Sequence, residues 1–86
     1  MTESTLKAAL AHYGPERQMA KMTEECAELI VALHHFAGSK IRKESVIEEI
    51  ADVLIMANQM RLLFGPAQVD AAIAYKVERL GKRVAA

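Results

Sequence analysis

The chain has 86 residues, 52% of them apolar and only 5% aromatic, and its 11 basic and 11 acidic side chains cancel. That balance excludes a general electrostatic pull toward nucleic acid or an anionic membrane, and the scarcity of aromatics leaves little for base stacking along a strand. The apolar fraction excludes disorder, and the length allows one domain, residues 1–86, whose core buries only about 60–65% of the unfolded surface, so a partner subunit is expected.

No stretch alternates with period two for long, and Gly14-Pro15, Gly38-Ser39 and Gly65-Pro66 cut the chain into four segments of helical composition. The first, residues 5–12, is short, with Leu6 and Leu10 on one side. The second, residues 15–37, begins with a proline suited to a first turn. Its apolar stripe is Met19, Met22, Cys26, Leu29 or Ile30, Leu33 and Phe36, and Gly38 is expected at the left-handed position that ends it. The third, residues 43–64, has the stripe Val46 or Ile47, Ile50, Val53 or Leu54, Ala57, Met60 and Leu63 or Phe64. The fourth, residues 67–84, is expected to turn Val69, Ile73, Val77 and Leu80 inward. Two helices of about 30 Å joined by a short connection predict an antiparallel hairpin inside an all-α, four-helix bundle that oligomerisation completes.

Cys26 is the lone cysteine, which suits a reducing compartment, and every apolar run is broken by charge before about 18 residues, so a soluble cytoplasmic protein is expected. Cys26 has no His or Asn arrangement around it for nucleophilic catalysis, and His34-His35 have no partner at metal-ligand spacing. Gly38-Ser39-Lys40 lacks the upstream glycine and preceding strand of a phosphate loop.

The chemistry concentrates in acids. Glu25 and Glu28 lie one turn apart on the second helix, and Glu49 and Asp52 on the third. Both pairs sit at similar distances from the connecting turn, so an antiparallel hairpin brings four carboxylates to one groove. Such a cluster repels itself unless a hard divalent cation with oxygen ligands fills it, and Mg²⁺ or Mn²⁺ is expected; a solvated helix face is the plainer reading of either pair alone. No Glu-x-x-His pair occurs, which argues against a di-iron carboxylate bundle. Lys76, Arg79 and Arg83 share one side of the last helix, a pattern that either grips phosphate or complements the helix dipole. Lys21, one turn before Glu25, either touches substrate or neutralises the acids, and Asn58 and Gln59 beyond Asp52 offer amides to a base or ribose or simply face solvent.

The run K-M-T-E-E-C-A-E-L from Lys21 to Leu29, followed by E-E-I-A-D-V-L from Glu48 to Leu54, resembles the signature of the MazG-like all-α nucleoside triphosphate pyrophosphatases. The resemblance spans residues 15–83. It implies Mg²⁺-dependent hydrolysis of a nucleoside triphosphate to the monophosphate and pyrophosphate, with Glu25, Glu28, Glu49 and Asp52 as metal ligands and catalytic groups. It further implies Lys21, Lys76, Arg79 and Arg83 as substrate contacts, Glu24 and Glu48 as the doubled acids of the motif, and a homodimer or homotetramer. The alternatives are a non-catalytic helical adaptor, a nucleotide-binding module, or an enzyme like the related phosphoribosyl-ATP pyrophosphatases.

Overall fold

A computed structural model describes residues 1–86 as four helices without a strand: α1 (Glu3–Tyr13), α2 (Pro15–Ala37), α3 (Lys43–Phe64) and α4 (Pro66–Ala85). Two of the three junctions are Gly-Pro steps. Gly14 and Gly65 adopt φ of 89° and 132°, which a side chain disfavours, while Pro15 and Pro66 open the following helices with a preset φ.

The α2–α3 junction ends differently from the sequence expectation. Gly38 has an ordinary φ of −85°, and the left-handed position falls one residue later, on Ser39 at φ 59°. The Lys40 amide donates to the His35 carbonyl and the Ser39 amide to that of Phe36, both at 2.9 Å, which is the Schellman pattern that satisfies the last carbonyls of α2. The register of these bonds, rather than the position of the glycine, decides which residue takes the strained conformation.

α2 and α3 form the antiparallel hairpin, and α1 packs against both, contributing buried Leu6. Their register is fixed at one point by a hydrogen bond of 2.6 Å from Gln18 Nε2 to Gln59 Oε1. The inward face of α2 is the line Gln18, Met22, Glu25, Leu29 and Ala32, which is rotated from the stripe the apolar residues predict. α3 turns Val46, Glu49, Val53, Met56 and Gln59 inward. Where the sequence left two neighbours open, Leu29, Val46 and Val53 are the ones turned inward, whereas Leu33 and Phe36 on α2 and Ile50 on α3, expected in the core, are exposed.

α4 contacts only α3. Arg61 near the end of α3 grips Asp70 in the first turns of α4 through two hydrogen bonds of 2.7 Å, which sets the angle at which α4 leaves. Beyond that clamp, Ile73, Val77 and Leu80 stand more than half exposed, contrary to the inward placement expected for them. The all-α reading and the four helices hold, but within one chain α4 does not close the bundle. The consequence is a large surface: 6506 Å², against about 5,000 Å² for a compact monomer of this mass. The radius of gyration, 15.4 Å, likewise exceeds the about 12 Å of a compact chain of this length.

Two stability outcomes follow from these junctions. Ser39→Gly removes left-handed strain at the α2 terminus and should stabilise the chain by about 0.5–1 kcal/mol in chemical denaturation. The Asp70 carboxyl is held below its ordinary 3.8 by the Arg61 hydrogen bonds, so the unfolded chain binds the proton more readily. Stability from this pair is therefore fully present above that value and lost as pH falls through the lower folded one. Asp70→Asn should flatten that acid limb and speed amide exchange along α4; an unchanged limb would separate the clamp from the placement of α4.

Candidate metal centre

Seven residues on from Gln18 along α2, and seven back from Gln59 along α3, stand Glu25 and Asp52, so the register set by the amide pair puts these acids opposite one another. Glu49 lies one turn from Asp52 on the same face of α3. Oxygens from Glu25, Glu49 and Asp52 all lie within 4.8 Å of one another. That spread is comparable to the about 4–5 Å separating opposite oxygen ligands across a divalent cation.

The three acids differ in exposure. Glu25 is only 6% exposed, Glu49 is half-buried and Asp52 is open to solvent. Glu25 Oε1 meets Lys21 Nζ at 3.2 Å, whereas Glu25 Oε2 and Glu49 Oε2 are sealed from solvent and have no hydrogen-bond partner. Unpartnered buried carboxylate oxygens are costly, and two of them turned into one acidic cluster fit a cation. The donor set is all oxygen, without His or Cys, which suits Mg²⁺, Mn²⁺ or Ca²⁺ rather than a softer metal.

Glu28 is beside this set rather than within it. It is exposed, and its carboxyl is held above the ordinary 4.5 chiefly by the charge of Glu25, then by partial desolvation and by the charges of Glu49 and Glu24. Together with Glu49, His35 and Ser45 it lines an open groove of about 400 Å³ between α2 and α3. His35 thus shares the lining of the acids' groove, although the sequence offered neither histidine a partner at metal-ligand spacing; His34 is exposed.

Lys21 bridges Glu25 and Glu24, at 3.2 and 3.6 Å, and both acids hold its ammonium above the ordinary value, the bond to Glu25 most of all. Glu24 and Glu48 are exposed. The remaining sequence-predicted cations, Lys76, Arg79 and Arg83, are exposed on α4, which touches neither α2 nor α1, and none of them forms an ion pair with the four acids. There Arg79 lies over the Tyr75 ring at 5.8 Å and Lys82 pairs with Glu78 at 3.5 Å. Neither a scan against models of known families nor searches of curated proteins and of solved structures finds a match to this chain.

Sequence reasoning missed Gln18 and left Gln59 between a ligand contact and a solvent-facing amide, without its burial against Gln18. Gln59 is 3% exposed and Gln18 6%, and they are the only two uncharged polar residues buried in the chain. Their spacing of seven from Glu25 and from Asp52 is the signal that marks them.

A divalent cation should change how stability depends on pH. Because the folded form of metal-free protein keeps the Glu28 proton longer than the unfolded form does, stability falls as pH rises from about 4.5 through the raised folded value. Glu28→Gln should remove that slope. Mg²⁺ at ten times its dissociation constant should add about 1.4 kcal/mol at neutral pH to the wild type and nothing to Glu25→Gln. Equal stabilisation of both by Mg²⁺ in thermal unfolding would show that the ion binds elsewhere.

Proposed function

We propose that the chain is a Mg²⁺-dependent nucleoside triphosphate pyrophosphohydrolase of the MazG-like kind, working as a homodimer or homotetramer. The observation that carries the reading is the meeting of Glu25 with Glu49 and Asp52 across the α2–α3 interface, with two buried carboxylate oxygens unpartnered. A structural salt-bridge network would have satisfied those oxygens from within the chain.

Glu25, Glu49 and Asp52 would hold the cation, with Glu28 adding a fourth carboxylate from the open side. Bound there, Mg²⁺ neutralises phosphate charge and lowers the pKa of water. The chain's own part is to fix the acids on two packed helices, so that little reorganisation accompanies substrate binding. Glu28 lines the groove outside the three-acid set, where its carboxylate would take the proton released as water attacks the α-phosphorus. Lys21 restrains Glu25 in the free protein and stands ready to turn to a phosphate oxygen.

The phosphate-gripping role of Lys76, Arg79 and Arg83 would fall to a second copy, since none of them pairs with an acid of the cluster in its own chain and α4 touches neither α1 nor α2. The outward apolar stripes of α2 and α3 and the apolar side of α4 supply a surface for it. The excess of about 1,500 Å² over a compact monomer is ample for an interface that removes about 800 Å² from each partner. An α4 laid across the neighbour would bring its bases toward the neighbour's acids while covering Ile73, Val77 and Leu80.

Pyrophosphate release should be measured over a panel of ribo- and deoxyribonucleoside triphosphates that includes phosphoribosyl-ATP. Activity should require Mg²⁺, vanish with a chelator and fall at least about 100-fold in Glu25→Gln and Asp52→Asn, the scale expected on removing a group that positions charge at the reacting centre. Turnover surviving both substitutions would overturn the site. No turnover with any nucleotide, from a chain that still assembles, would favour the helical adaptor that the exposed apolar stripes also suit. Sharing of the site is tested by mixing inactive Arg79→Ala and Asp52→Asn chains: recovery of part of the wild-type rate is expected if the acids and the bases come from different copies.

A further inference from the structure

Beside the carboxylates lies a second concavity whose polar groups the metal chemistry does not use. It is a cleft of about 640 Å³ walled by α1, α2 and α3. The Gln18–Gln59 pair forms its inner wall, Tyr13 and Arg17 border its mouth, and Lys21 and Glu24 form the side shared with the acid cluster.

The amide pair is incompletely satisfied. Gln18 Nε2 donates to Gln59 Oε1, but Gln59 Nε2 reaches only the Met56 sulfur at 3.7 Å, a weak acceptor. Gln18 Oε1 has no partner within the chain and is not sealed from the cleft. Two carboxamides more than nine-tenths buried, with a donor and an acceptor left over, are an expensive way to join two helices that apolar residues would join as well. They are well suited to a planar ligand whose edge presents an acceptor beside a donor.

Distance supplies the second argument. The amides stand seven residues from Glu25 on α2 and from Asp52 on α3, about 10 Å along the helix axes. A nucleotide whose phosphates lie at the acids extends its base by about one sugar-length beyond them, and the cleft opens on that side.

We propose that this cleft receives the heterocyclic base of the nucleotide, with Gln18 and Gln59 hydrogen-bonding its polar edge and Tyr13 flanking its face. The assignment rests on the nucleotide reading of the carboxylates and makes Gln18 and Gln59 the residues that hold the base. A carboxamide can present its oxygen or its nitrogen to either edge position, so the pair accepts any base with adjacent donor and acceptor groups and rejects a ligand without them.

The test uses isotope-labelled full-length protein in chelator, titrated with uridine, cytidine, guanosine and adenosine while the side-chain amide signals of Gln18 and Gln59 are followed by NMR. At least one nucleoside should shift both signals saturably, and ribose 5-phosphate should leave them in place. Gln59→Leu should weaken that nucleoside at least tenfold; Tyr13→Ala, at the half-exposed rim, tests the same cleft without touching the buried pair and should also weaken it. Absence of any shift, equal shifts with ribose 5-phosphate, or unchanged affinity in a folded Gln59→Leu or Tyr13→Ala protein would overturn the proposal. Nucleoside binding without triphosphate turnover would overturn the hydrolase reading alone, and turnover without nucleoside shifts would overturn the cleft alone.

Discussion

Like charges held at one point between two helices are the constraint around which this chain is arranged. Glu25 is almost wholly buried, two carboxylate oxygens are sealed and unpartnered, and Lys21 engages only one oxygen of Glu25. Such a site relaxes unless its supports are stiff. The supports are two helices of 23 and 22 residues, locked at one level by the Gln18–Gln59 bond and at the other end by a short turn closed with backbone hydrogen bonds. Neither clamp is a large apolar core. The interior instead contains a polar line that runs along the α2–α3 seam.

That polar line explains the surface. A helix has one face to give to each neighbour, and in α2 the face toward α3 is occupied by Gln18, Glu25 and Ala32. The stronger apolar stripe is displaced around the axis to the outside, where Ile30, Leu33 and Phe36 meet solvent in the isolated chain. α4 behaves in the same way: clamped by Arg61 and Asp70 at its start, it leaves α3 with its apolar side uncovered. At about 25 cal/mol for each Å² of apolar surface removed from water, these uncovered faces are stabilisation that the isolated chain leaves unused.

The seam also acts as a ruler. Acids at one level and amides two turns away share the same inward line on both helices, so one register positions two kinds of chemistry, an acidic end and a neutral hydrogen-bonding end. Sliding the pairing by one turn would separate both sets together. Rigid spacing of this kind suits recognition of a ligand that is itself charged at one end and planar and polar at the other.

The helices, their junctions and the meeting of the acids were legible in the sequence, because glycine-proline steps, composition and a three-residue acid spacing are local properties of the chain. Glu25, Glu49 and Asp52 come together where an antiparallel hairpin requires. The choice of inward face was not legible: apolar periodicity identifies the stripe that seeks burial, but not whether another part of the same chain buries it. Only the tertiary structure decided that Gln18 and Gln59 face each other, that Ser39 rather than Gly38 takes the left-handed turn, and that α4 leaves α1 and α2 with Lys76, Arg79 and Arg83 exposed. Those outcomes depend on helix rotation and on the departure angle of α4, which are set by non-local packing and by a single bidentate ion pair, and nothing in a local spacing encodes them.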